Sequence, residues 1–142
     1  MPETISHPDG LFELRLPSDW QWIADEGGGA AVSRHPPGVL HLSAEAVDDP
    51  ADFPNLSRML AGFLTRTGRA VATDDLLRVP LTGAEGFSWQ YIEDESRAWR
   101  VWIFGNRAAW VFASFNCALE DAPAHQHAVD GLVHSLRLVG PG

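Results

Sequence analysis

A chain of 142 residues, 45% apolar and 20% charged, has the size and composition of one globular domain, and its six Trp and seven Phe supply enough apolar area to exclude intrinsic disorder. The net charge is −9 and all ten basic residues are Arg, scattered among nineteen acids, a pattern that disfavours phosphate backbones and anionic membrane surfaces. The single cysteine, Cys117, excludes an intramolecular disulfide and a cysteine-based zinc site; no apolar run is long enough to span a membrane and no basic, apolar leader opens the chain, so the expected location is the cytoplasm.

The chain reads as a single domain over residues 1–142, with a loose arm at 1–10, a folded core at 11–138 and a frayed tail at 139–142. Phe12, Leu14 and Leu16 alternate with Glu13 and Arg15, the period of a half-buried strand, which Pro17-Ser18-Asp19 ends. Trp20, Trp22 and Ala24 alternate again. Gly27-Gly28-Gly29 reads as a turn, because a strand and not a helix N-terminus follows it, which excludes a phosphate cradle. Pro36-Pro37-Gly38 is the next turn, and Val39–Val47 the next strand. Asp48, Asp49, Pro50 and Asp52 introduce a helix whose buried stripe is Leu56, Met59, Leu60, Phe63 and Leu64, with Gly68 beyond its C-terminus. A strand around Leu76–Leu81 carries Pro80, which suits a sheet edge.

Three strands of a meander follow, Gly86–Asp94, Arg97–Phe104 and Arg107–Cys117, joined by turns at Glu95-Ser96 and Gly105-Asn106. Two-residue turns pair Trp89 with Trp102, Ile92 with Trp99, and Val101 with Trp110. One face then carries Phe87, Trp89, Tyr91, Trp102, Phe104, Val111 and Phe115; the other carries Ile92, Trp99, Val101, Ile103, Trp110 and Phe112. Both faces are apolar, so both need cover. A second helix, Pro123–Leu138, has the stripe Val129, Leu132, Val133 and Leu136, with Asp121 as its cap. The expected fold is α/β of the α+β kind: a three-layer α/β/α sandwich with two main helices on a twisted, mainly antiparallel sheet of about six to eight strands.

The strand and corner Phe12-Glu13-Leu14-Arg15-Leu16-Pro17-Ser18-Asp19-Trp20, the turn and strand over 37–46, and the closing strands with the helix at 129–138 resemble the PsbP/Mog superfamily over residues 11–138. The resemblance implies a fold whose members mostly scaffold or bind, bacterial relatives including homodimeric chaperones of type VI secretion effectors. It implies no catalytic residue, and no residue set matches the superfamily's Ran-binding surface.

Candidate chemistry is sparse. Gly86-Phe87-Ser88-Trp89-Gln90 departs from the nucleophile elbow at Gln90 and lies in a strand. His127, Asp130 and His134 share a helix face at metal-ligand spacing, although Arg137 continues that row; His125 and His127 point to different faces. His35 and His41 flank a turn and are placed to approach each other across it. Cys117 at a strand end reads as a buried thiol. The acidic clusters Asp48-Asp49, Asp74-Asp75, Glu93-Asp94-Glu95 and Glu120-Asp121 lack calcium-loop spacing.

Trp89, Tyr91 and Trp102 with Arg100 are the candidate interaction surface, since Trp, Tyr and Arg are favoured at interfaces. The leading expectation is therefore a non-catalytic protein-interaction or scaffold domain, with a protein partner or a second copy of itself as a homodimer, and with no cofactor, nucleic acid or membrane. Its alternatives are a small-ligand or secretion-chaperone module with a concave aromatic groove, and an enzyme whose site gathers distant groups.

Overall fold

The computed structural model describes residues 3–138. Ten strands and two helices follow in chain order: β1 (Glu3–Ser6), β2 (Phe12–Leu16), β3 (Trp20–Ala24), β4 (Gly28–Arg34), β5 (Pro37–Ala46), α1 (Leu56–Arg66), β6 (Leu77–Arg78), β7 (Glu85–Glu93), β8 (Arg97–Gly105), β9 (Ala109–Ala118), α2 (Ala122–His134) and β10 (Arg137–Leu138). The main sheet has seven antiparallel strands in the order β3-β4-β5-β9-β8-β7-β6, and a small sheet has the order β1-β2-β10. Pro80 lies just beyond the short edge strand β6, where a missing N–H costs no ladder bond.

Alternation along β5, β8 and β9 sends side chains to two cores. On one face Leu40, Leu42, Trp102, Phe104, Val111, Ala113 and Phe115 meet Val129, Leu132 and Val133 of α2 and Phe12, Leu14 and Leu16 of the small sheet. On the other face Val101 and Ile103, with partly buried Trp89, Tyr91, Trp110 and Phe112, meet Leu56, Leu60 and Leu64 of α1. Two helices alone therefore do not cover the sheet. The small sheet shares one face with α2, while α1 covers β7 to β9 and leaves Val39 and His41 of β5 exposed on the other.

The α1 ends follow sequence chemistry. Asn55 accepts from the Arg58 N–H at 3.1 Å as its cap. Gly68, at φ 90°, closes the other end, with the Arg69 N–H donating to the Leu64 carbonyl at 2.8 Å and the Gly68 N–H to Thr65 at 3.0 Å. Gly86 is required by packing, since a Cβ there would fall on the Phe104 ring and stand 2.7 Å from the Val79 carbonyl oxygen.

Several details differ from the sequence reading. Gly28 and Gly29 are not turn residues but open β4, paired with Ser43 and Leu42, and the acids at 48–52 flank a short 3-10 turn ahead of α1. Residues 3–6 are not a loose arm: β1 pairs with β2 from Glu3↔Leu16 to Ser6↔Glu13. The first meander turn has three residues, because Asp94 and Glu95 take φ values of 51° and 59° and Glu93 pairs with Arg97. That slip of one residue turns Phe87, Trp89 and Tyr91 to the α1 face and Ile92 to the α2 face; Trp89 lies opposite Val101, Ser88 opposite Trp102, and Ile92 opposite Ala98. The second turn is longer, with the Asn106 side chain accepting from the Ala108 and Ala109 N–H groups at 3.1 and 3.0 Å, so Val101 pairs with Ser114 and Trp110 with Gly105. This even shift preserves the faces of β8 and β9.

The last difference lies at the C-terminus. Helix α2 stops at His134, where Ser135 Oγ donates to the Leu132 carbonyl at 2.7 Å and accepts the Arg15 N–H at 2.9 Å; the chain then joins β2 as β10. Asp121 stands at the cap position, but its side chain makes no capping bond. The tail read at 139–142 lies outside the described residues.

Candidate functional site

Rows of side chains across the main sheet explain where it is filled and where it is open. On the α2 face, Ser88, Trp102, Ala113 and Leu42 form one row, in which small neighbours accommodate the indole. The next row is Gln90, Arg100, Phe115 and Leu40. The outermost is Ile92, Ala98, Cys117 and Gly38. Small residues at Ala98 and Gly38 leave that row shallow, and the N-terminal half of α2 lies over it. The result is a groove of about 560 Å³ lined by Ile92, Ala98, Phe115, Cys117, His125 and Val129, among others, which is within the range of small-molecule sites.

His125 is the most constrained polar group of the groove. It is 3% exposed, and the missing side chain of Gly38 makes room for its ring: a Cβ there would stand 2.9 Å from Nε2. The ring is held edge-on by Trp20 at 5.7 Å and Phe115 at 5.4 Å between centroids. Nε2–H donates to the Pro37 carbonyl at 3.3 Å, because a carbonyl can only accept. Among the described residues Nδ1 has no hydrogen-bond partner, and no buried side-chain nitrogen or oxygen is left unpaired, so Nδ1 is open to the groove. Cys117 is buried beside it; burial chiefly, with the Asp121 charge, pushes its thiol up and keeps it protonated at neutral pH.

Arg100 is already occupied. Its guanidinium lies over the Trp102 ring, 4.7 Å from the centroid, and reaches Asp130 of α2 at 2.8 Å. Both groups of the pair are partly exposed, so it contributes about 0–1 kcal/mol and acts mainly to tie α2 to β8.

The candidate residues from sequence are not brought together. Trp102 is buried in the α2-side core with Arg100 over it, whereas Trp89 and Tyr91 sit on the opposite face. There Tyr91 stacks on Trp99 at 6.1 Å and carries the Arg69 guanidinium 3.7 Å above its ring, while burial pushes its hydroxyl up. None of the six Trp is exposed. In the helix trio, the Asp130 carboxylate is paired with Arg100, and His134 Nδ1–H donates to the Asp130 carbonyl at 2.7 Å. His127 is exposed, and among the described residues no group of three His, Cys, Asp or Glu converges on a metal position. His41 meets Asp25 at 3.0 Å and not His35. That bond holds the exposed Asp25 carboxyl below its ordinary value, opposed by some loss of hydration and helped by the Gly28 and Gly27 N–H groups; any stability it contributes is present at neutral pH and lost as acid protonates it. Ser88 lies buried within β7, away from any strand-to-helix turn.

Sequence reasoning placed His125 and His127 on different faces but gave His125 no role. Extending the stripe Val129, Leu132, Val133 and Leu136 back by one turn lands on His125, which is the signal that marks it as buried.

No helix among the described residues is long and apolar enough to cross a membrane. No protein-family model matches the chain, and no curated protein matches it either. Solved structures do. The cyanobacterial PsbP of Synechocystis sp. PCC 6803 is 10% identical, with 97% of this chain and 92% of that one covered at a TM-score of 0.67. LpqN of Mycobacterium tuberculosis, involved in cell envelope biogenesis, is 17% identical, with coverage of 99% and 91% and a TM-score of 0.58. A protein of Bacteroides thetaiotaomicron is 16% identical at a TM-score of 0.67; 99% of this chain is covered, and it spans about half, 49%, of that protein. At these identities the likeness concerns the backbone alone: two helices on a seven-stranded antiparallel sheet with a small second sheet, the PsbP-like fold.

Proposed function

We propose that this domain is a non-catalytic binding module that holds a small, largely apolar ligand in the groove between β7, β8, β9 and the N-terminal half of α2. The observation that supports it is the groove itself: about 560 Å³, lined by apolar side chains together with Gln90, Arg100 and Gln126, with one buried imidazole whose Nδ1 has no protein partner. Its polar groups do not form a nucleophile–base pair; the thiol is protonated and Arg100 is spent on Asp130. This favours the ligand-binding alternative over an aromatic docking surface, because Trp20 and Trp102 are buried and the other four Trp are only partly exposed.

A thermal-shift screen of small aromatic fragments tests the reading. Ala98→Trp, which fills the shallow row, is the control. Fragments are expected to raise the Tm of the native protein and to leave that of Ala98→Trp unchanged. Equal shifts in both proteins, or none in either, contradict it.

One observation favours a second reading, a protein-interaction domain. Strand β7 pairs with β6 only at Phe87 and Ser88, so its outer edge beyond Ser88 has no strand partner among the described residues, and Ile92 there is 56% exposed. Sedimentation of the native protein and of Ile92→Glu reads it: a dimer that the charge splits supports pairing of β7 with a second copy, and a monomer in both removes self-association through this edge.

A further inference from the structure

We propose that the ligand of this groove is an uncharged, largely apolar molecule carrying a hydroxyl group, its apolar body against Ile92 and Ala98 and its hydroxyl donating to Nδ1 of His125. This rests on the groove's being a ligand site.

The chemistry of the walls sets the class. Nε2 is committed to the Pro37 carbonyl, so in the neutral ring Nδ1 is an acceptor without a protein donor. A hydroxyl supplies that donor. A carboxylate or an ammonium group fits poorly, because the Arg100 charge is neutralised by Asp130 and no other Arg, Asp or Glu lines the groove. An apolar body fits because Ile92, Ala98, Leu119 and Pro123 supply accessible apolar surface to the groove, above the buried Phe115 and Val129. The His125 ring cannot turn away from its ligand, since Trp20, Phe115 and the Pro37 carbonyl fix its plane. Its geometry is therefore set before a ligand arrives.

The test is an amide NMR titration of the native protein at pH 8 with 4-ethylphenol and with its methyl ether, which keeps the ring and loses the donor. The phenol is expected to shift the amides of Ala98, Cys117, His125 and Val129 and to bind about fivefold to tenfold more tightly than the ether. In His125→Phe, which keeps a ring in place, the two are expected to bind alike. If both compounds shift the groove amides of the native protein with equal affinity, the hydroxyl assignment is overturned and the groove remains a ligand site. If neither shifts them, the groove reading itself falls. A phenol preference that persists in His125→Phe overturns the role of Nδ1. Should that variant fail to fold, the comparison of phenol with ether on the native protein decides alone.

Discussion

Trp102→Ala is expected to lower the unfolding free energy by about 3–5 kcal/mol, read from the shift of the urea midpoint. The indole is 2% exposed and stands between Ser88 and Ala113, neither of which can extend to fill the space it leaves. Its loss also strips the Arg100 guanidinium of the ring beneath it, and with that one of the two contacts that orient Arg100 toward Asp130. A loss below about 1 kcal/mol would mean that the α2 side of the sheet is not packed as described.

Leu60→Ala tests the opposite face, with an expected loss of about 2–5 kcal/mol. Leu60 is fully buried at the centre of the α1 stripe, one turn from both Leu56 and Leu64, and the three lie over Val101 and Ile103. Here α1, with the buried Leu76 from the segment that follows it, closes a core whose other members, among them Phe63, Trp89, Tyr91 and Phe112, are only partly buried. Each variant is expected to unfold in one transition, because β8 supplies residues to both cores: Val101 and Ile103 to one, Trp102 and Phe104 to the other. Two separate transitions for Leu60→Ala would contradict that coupling.

Much of this architecture was legible because local signals agreed. The end of α1 at Gly68, the alternation of Phe12-Leu14-Leu16, and the edge position implied by Pro80 rest on chemistry that needs no tertiary contact, whereas α1 starts later than the acids at 48–52 implied, with Asn55 as its cap. The meander register rests on less. Glu95-Ser96 is a poor two-residue turn, and Asp94-Glu95 took the positive-φ positions in its place; one residue of slip then moved Trp89 and Tyr91 to the other face. Strands β1 and β10 were missed for a related reason. Each is short and pairs only with β2, so its stability comes from partners far along the chain and not from its own pattern.

The groove was the least legible feature. It arises where Ala98, Cys117 and Gly38, distant in sequence, fall in one row, and where a helix laid over them brings His125 against Gly38. No spacing rule within α2 reports that juxtaposition. The His127, Asp130 and His134 face was legible as spacing, yet Arg100 arrives from β8 to take its carboxylate. The Trp-rich meander, which drew attention to an interaction surface, is explained by two cores sharing one sheet.

The measurement that bears most directly on the central claim is a crystal structure of the domain soaked with a fragment that raises its Tm. The account predicts the fragment in the groove, its apolar body against Ile92 and Ala98 and a polar atom within hydrogen-bond distance of His125 Nδ1. A fragment bound elsewhere while the groove holds only solvent would contradict it.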